Sequence, residues 1–567
     1  MGSVASVISN ARNILPYLAR SVRPRSSRLG AVTAIVLLSV CLTTAGCRRG
    51  AQGGSAGTSQ TSSDTAGQTA TLHRDELFEI AISNLNRLYQ FEGTEMALQV
   101  ADRLDQWIKT QPPLTDWAPD PLLQKLPPDL AQLKAVKELG ELRFTRDDGI
   151  FLQTAVWLRD IAGWARGDQP DELSRAIQLF DWVVINIQLD SQERMIQLPS
   201  GQLLIHTPWE TLLLGHGTVF DRVWVYLLLC RQEGLDAAVV AVNRAAAGAR
   251  PLWEVFAVGV LINGELYLFE PALGVPIPAK DGLKVEKGKG LVIRPATLKE
   301  LAADDSLLRR LDADPRNPYR VKADDLREVM LYVEGSPPYL SRRMEMVQKM
   351  LAGTESLVIT AHPSELAERL RQAEHVKDVE LWVVPYEAEQ QRETFGQQIG
   401  QLVLREIMPY LAPVGAVMPL WRGRVLYFRG DLVGEESAAY YLQLARPPER
   451  LLASGNLPPD QEMILNRAKI NASYWLGILA LYQGNRKSAE DYFIKRTALS
   501  EPDSPWESGV LYALGRLNEK LGDYSRAITA YRSEMHLPNR YGNLVRAKWL
   551  EELTGAKPLE IDESSHK

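Results

Sequence analysis

Three cysteines, seven histidines and one strongly marked helix start are the places where this chain could do chemistry. In the run Gly217-Thr218-Val219-Phe220-Asp221-Arg222, Thr218 and Asp221 have the spacing of a capping box, so a helix is expected to begin at Val219. A thiol at that position would gain from the positive end of the helix, which favours the thiolate and makes a nucleophile. Val219 offers an isopropyl group with no proton to lose. A general base is missing too, since no His occurs between His216 and His362. Cys230, further along the same helix, falls where a small buried side chain is expected, yet it is the one thiol of the body that could act as an alternative nucleophile. His206 and His216 are too widely spaced for a tight metal motif and are expected in ordinary loop roles, so neither a metal nor a cofactor is expected.

The elements that would position these residues can be read from periodicity. Residues 72–170 carry apolar residues every three or four positions and form a helical region, and 171–189 (DELSRAIQLFDWVVINIQL) is a further helix opened by an acidic first turn. After the helix that follows Thr218 come apolar runs rich in Val, Leu, Phe and Tyr. Asn263-Gly264 between two of them predicts a hairpin of Trp253–Ile262 with Glu265–Phe269. Residues 281–330 are charged and interrupted by Pro315 and Pro318, which predicts a surface connector with short helices. Around 357–360 (LVIT) and 379–385 (VELWVVP) two strand-like runs flank a helical 364–373, suggesting a small strand-helix-strand unit within 281–399. From about Gly400 to Leu553 the pattern is helical again, with a short tail over 554–567.

Three separated segments, taken in order, resemble the core of the transglutaminase-like superfamily: AIQLFDWVVINI, WETLLLGHGTVFDRVWVYLLLCRQEGLDAAVVAV and PLWEVFAVGVLINGELYLFEP. The resemblance covers about residues 171–275. It implies a papain/transglutaminase-like α+β middle domain over 171–280. Val219 then stands at the family's nucleophile position, the hairpin lacks the family's His, and Glu270, before Pro271, stands where the family has Asp. With two of three chemical roles absent, the domain is expected to be catalytically inactive, because an acid that would orient an imidazole has none to orient. The alternative expectation is an active thiol hydrolase or acyl transferase using Cys230.

Self-similarity appears further on. Leu476, Gly477, Ala489 and Phe493 recur as Leu514, Gly515, Ala527 and Tyr531, each offset by 38 positions. This resembles the tetratricopeptide repeat, at about 465–540, and implies two helix pairs in which small residues allow close approach and an aromatic fills the space behind them. Gly434 to Leu444 is expected as a degenerate third unit and 541–553 as a capping helix. The family implies a surface for peptides or partner proteins and no reaction of its own.

Composition sets the frame. At roughly 100 to 200 residues per domain, 567 residues make several folding units, so the fold class is multidomain α+β. Hydrophobic residues at 45% and charged residues at 24% exclude global disorder and a polytopic membrane protein. Residues 1–49 hold seven Arg and no acid, which leaves the remainder more acidic than the formal charge of −6 and makes nucleic acid a poor partner. Ala31–Leu42 is an apolar core behind basic residues, and it ends in Thr44-Ala45-Gly46-Cys47. That resembles a bacterial lipoprotein signal over 1–47, with Thr44 where the family prefers Leu, and it implies lipidation of Cys47 or, failing cleavage, a retained single-pass anchor. Residues 48–71 are rich in Gly, Ser and Thr and read as a flexible linker. The expectation from sequence is a membrane-anchored extracytoplasmic scaffold in a bacterial cell envelope, binding an unidentified protein or peptide.

Overall fold

The computed structural model describes residues 72–112, 116–246, 249–316, 318–351, 357–498 and 505–559. Cys47, the signal segment and the linker lie outside the described residues. Among the described residues no helix is long and apolar enough to cross a membrane.

Asp75 caps α1 (Glu76–Asn86) by accepting from the Phe78 N–H at 3.0 Å. This helix pairs with α2 (Glu95–Ile108), and both rest on α3 (Arg146–Ala165), which opens on a Thr145/Asp148 capping box. Phe78, Leu104, Trp107 and Leu152 fill a small core between them. The helix expected over 171–189 ends earlier than its apolar period suggested: α4 spans Glu172–Asn186, and Gln188–Leu189 form a short strand, β1. Helix α5 (Pro208–Leu214) leads to β2 (His216–Gly217), which pairs in parallel with β1. Between them Gly215 has φ +78°, and a Cβ there would stand 2.4 Å from the Trp475 ring, so only glycine fits.

Helix α6 (Val219–Gln232) lies against α4 and against β3 (Asp236–Asn243). β4 (Trp253–Ile262) and β5 (Glu265–Glu270) form the expected hairpin, with Asn263 at φ 52° and Gly264 at φ 83°, as a tight turn of this kind requires. With β6 (Val275–Pro276), β9 (Val329–Val333) and β10 (Val376–Leu381) they make one six-stranded sheet in the order β10-β9-β3-β4-β5-β6. Within this sheet only β9 and β10 run parallel. β3 sits inside the sheet, and its run Ala237–Val242 is buried throughout, as a strand covered on both faces must be.

Two expectations need correction. Residues 281–330 are more than a surface connector: they hold most of a second hairpin, β7 (Pro278–Glu286) with β8 (Gly290–Pro295), followed by α7 (Leu298–Ala303) and α8 (Asp305–Arg309). Their Leu291, Ile293, Leu298, Leu301, Leu307 and Leu308 are all core residues. High charge density masked this, because Lys284 and Glu286 alternate along β7 with Leu283 and Val285, which pair with Ile293 and Leu291 of β8. Nor is 357–360 a strand. Its backbone is satisfied by side chains instead: Gln232 donates to the Val358 carbonyl at 2.8 Å and accepts from its N–H at 3.2 Å, while Gln348 accepts from the Ile359 N–H at 2.8 Å. Gln348 belongs to α9 (Arg342–Met350). The parallel partner of β10, which follows α10 (Pro363–Leu370), is therefore β9, at the end of the stretch read as connector.

The C-terminal part is helical: α11 (Val384–Ile407), α12 (Pro419–Phe428), α13 (Ala438–Leu444), α14 (Pro459–Tyr482) and α15 (Arg486–Glu490), which continues as a π-helix over Asp491–Ala498, then α16 (Glu507–Lys520), α17 (Tyr524–Arg532) and α18 (Asn539–Thr554). A Cβ at Gly477 would meet the Phe493 ring at 2.5 Å, and one at Gly515 would meet Tyr531 at 2.2 Å, so the two helix pairs share one packing contact. Ala489 and Ala527 are fully buried beside them, with Leu476 and Leu514 in the same core. The preceding pair α12/α13 repeats the theme with Leu442 on Gly423.

This helical part is seated on the rest of the chain. α16 touches α4, β1 and β8, α14 touches α12 and α13, and α18 touches β7. A Cβ at Gly542 of α18 would lie 2.1 Å from the Leu273 carbonyl oxygen. One contiguous hydrophobic core runs from Leu122 to Leu550.

Candidate functional site

The start of α6 is built as the sequence requires. Thr218 accepts from the Asp221 N–H at 3.3 Å, and Asp221 accepts from the Thr218 N–H at 2.7 Å, closing the capping box. Val219 is half-buried at the first helical position. The next turn places Arg222 inside the protein, where burial pushes its guanidinium down to about 10. It donates from Nε at 3.1 Å and Nη2 at 2.5 Å to the Ile187 carbonyl, and from Nη1 at 2.8 Å to the Pro271 carbonyl. One side chain thus ties the helix start to the chain after α4 and to the residue following Glu270.

Glu270, the last residue of β5, is buried and accepts from the Leu273 N–H. Burial pushes its carboxyl up to about 7, against the hydrogen bonds from the Leu273 and Ala272 backbone and the charges of Arg320 and Arg222. Cys230 is fully buried, and burial drives its thiol up to about 12. A thiol of that kind is a packing group at neutral pH.

His206 lies in the loop before α5, as expected, and His216 lies in β2; both are buried, each against a carboxylate. Asp221 accepts from the His206 N–H at 3.1 Å and stands 3.3 Å from its Nδ1. Burial would lower the His206 pKa, but the hydrogen bond and charge of Asp221, with Glu210 and Asp190 behind, carry it up to about 9. His216 Nδ1 lies 3.0 Å from Asp190 Oδ1. Burial works to raise the Asp190 carboxyl, but His216, by charge and hydrogen bond, holds it below its usual range, helped by His206 and Arg194. The two imidazoles stand 6.4 Å apart, and Trp506 packs edge-on against His216 at 5.9 Å. Among the described residues no group of three or more His, Cys, Asp or Glu is placed to hold a metal ion.

His216 also lines a small cleft of about 50 Å³. Its lining includes Arg194 and Leu214, Glu406 in the last turn of α11 and Tyr410 just after it, Arg467 and Asn471 on α14, and Trp506. No protein-family model, curated protein or solved structure matches the chain. What can be said of the site therefore rests on its own groups.

Those groups divide in two. At the α6 start, Val219 is apolar, and the Glu270 carboxylate accepts from backbone N–H. In the cleft, the titratable groups come from segments far apart in sequence, 190–216, 406–410 and 467–506, and no local motif announces them. The signal that could have found part of this set is the capping box, since an Asp at the third helical position of a buried helix needs further donors.

Two of these groups, Glu270 and His206, make stability pH-dependent around neutrality. Folding raises Glu270 from 4.5 to about 7 and His206 from 6.5 to about 9, so the native protein holds protons that the unfolded chain releases. Stability therefore falls as pH rises, between about 4.5 and 7 through Glu270 and between about 6.5 and 9 through His206. Thermal melts across this range should show that decline, and Glu270→Gln should flatten its acidic half. An undiminished slope in that variant would refute the assignment.

Proposed function

We propose that this chain is a membrane-anchored extracytoplasmic protein-interaction scaffold of a bacterial cell envelope, with a catalytically inactive transglutaminase-like domain and a tetratricopeptide-like repeat module. The observation that carries the reading is Val219 at the capped start of α6, where the resemblance implies a thiolate. β4 and β5 bring no imidazole to it, as neither strand contains His. The burial of Cys230 speaks against the thiol-enzyme alternative, since a thiol pushed up to about 12 is overwhelmingly protonated at neutral pH. The repeated contacts of Phe493 on Gly477 and Tyr531 on Gly515 support the repeat reading. Because α16 lies against the chain's own α4, β1 and β8, partners are assigned to the outward side of the helix pairs, where Ile494 and Met535 are exposed.

Peptide-level mass spectrometry after treating native protein with iodoacetamide at neutral pH tests both halves. The expected result is an acylated Cys47 at the mature N-terminus and an unmodified Cys230 that reacts only after unfolding. Rapid native labelling of Cys230, together with amide hydrolysis lost in Cys230→Ser, would replace the scaffold by a thiol enzyme.

A further inference from the structure

Asp221 serves two segments at once. As the third residue of α6 it closes the capping box, and the Thr218 N–H and hydroxyl both donate to its Oδ2, at 2.7 and 3.0 Å. It also holds the chain before α5: Oδ1 accepts from the His206 N–H at 3.1 Å, and the His206 ring stands 3.3 Å from Oδ2. Both side chains are buried, and among the described residues His206 is the one ion-pair partner of Asp221. Arg222, next in sequence, turns away to the Ile187 and Pro271 carbonyls. A buried carboxylate needs a counter-charge, and the imidazole supplies one only while it is protonated.

The other charged groups around His206 pair elsewhere. Glu210 of α5 accepts from Arg392 of α11 at 2.6 Å and from the Thr207 N–H at 2.7 Å. Asp190, after β1, lies 3.0 Å from His216 of β2, with the charge of Arg194 nearby.

His206 ends a strap between β1 and α5. Its residues 196–204 fold into a small hairpin, with the Leu198 N–H donating to the Gln202 carbonyl and the Leu204 N–H to the Ile196 carbonyl, each at 2.8 Å, and an exposed tip at 199–203. Its fastenings are gathered beside the histidine. Gln391 of α11 accepts from the Ile205 N–H at 3.1 Å and donates to the Leu203 carbonyl at 2.9 Å, and Arg392 donates to the Ile205 carbonyl at 3.1 Å. Leu198 and Leu204 are buried beneath, so the strap stays down while these hold.

We propose that His206 and Asp221 form a proton-operated clasp, closed while the imidazole carries its charge and loosened when that charge is lost, so that the strap opens from α6 and α11 more often as the medium turns alkaline. In the open strap His206 returns towards its ordinary 6.5; in the closed one burial pulls it down, but Asp221, with Glu210 and Asp190, carries it up to about 9. The clasp is therefore at full strength below about 6.5 and fades as pH rises through about 9. The inference goes beyond the scaffold reading and stands on these contacts alone, independently of the anchor, the repeats and Val219.

Hydrogen exchange of the full chain between pH 6 and 9.5, corrected for the intrinsic pH dependence of amide exchange, tests it. The Ile205 and His206 amides should exchange faster than those of Ala237–Val242 in β3 at every pH, marking an opening short of global unfolding, and their opening constant should rise about a hundredfold across the range. In His206→Gln, which cannot carry the charge, the same amides should exchange fast already at pH 6 and show no such rise. The imidazole resonance of His206 in the unmodified chain, assigned by its loss in that variant, should titrate near 9. Strap amides no faster than those of β3, an opening constant that does not change with pH, a rise that persists in His206→Gln, or a His206 midpoint at or below 6.5 would each overturn the assignment.

Discussion

Arg222→Ala is expected to cost about 3 to 5 kcal/mol of stability, among the larger effects available to one substitution here. The side chain is 3% exposed and makes three hydrogen bonds, all to main-chain carbonyls. Its removal orphans the Ile187 and Pro271 oxygens in the interior, each a desolvation penalty of about 1 to 3 kcal/mol, and leaves a cavity between α6 and β5. Arg222→Met would fill most of that space, so the difference between the two variants separates packing from hydrogen bonding. Denaturant midpoints and slopes for both measure it. A loss below about 1 kcal/mol in Arg222→Ala would mean that those carbonyls find other donors.

Glu519→Ala is expected to be as damaging for a different reason. Glu519 and Arg546 are 1% and 3% exposed and pair at 2.8 and 3.0 Å, while Tyr531 donates to the same carboxylate at 2.5 Å and the Leu291 N–H does so at 3.2 Å. One carboxylate therefore joins α16, α17, α18 and β8. Deleting it strands a guanidinium in the interior, which costs about 3 to 5 kcal/mol. The double variant Glu519→Met/Arg546→Met removes both charges and should recover much of that loss, because the penalty belongs to the unpaired ion. Thermal unfolding of the single and double variants decides: a double variant as unstable as Glu519→Ala would contradict the account.

Local rules made much of this architecture legible. The Thr218/Asp221 box, the Asn263-Gly264 hairpin and the 38-residue offset that pairs Gly477 with Phe493 and Gly515 with Tyr531 are short-range patterns, and all appear as elements or contacts. What local rules could not supply was pairing across distance. β9 joins β3 over about ninety positions, and Leu357 to Thr360 has strand composition but finds glutamine side chains instead of a neighbouring strand. The candidate site follows the same division. Val219 and Glu270 were marked by their neighbours in sequence, whereas His216 with Asp190, and Arg467 with Glu406, are brought together only by the chain's long-range course. Spacing alone carries no information about the carboxylates buried beside the two histidines.

The seating of α16 against α4, β1 and β8 has a consequence for any outsider seeking that surface. The occupant is part of the same polypeptide and cannot diffuse away, so its local concentration is at least about millimolar by the usual reasoning for linked sites. A rival segment would have to displace it, giving up part of its own affinity to do so. The inner side of this helical array therefore behaves as a filled lock whose key the chain already carries.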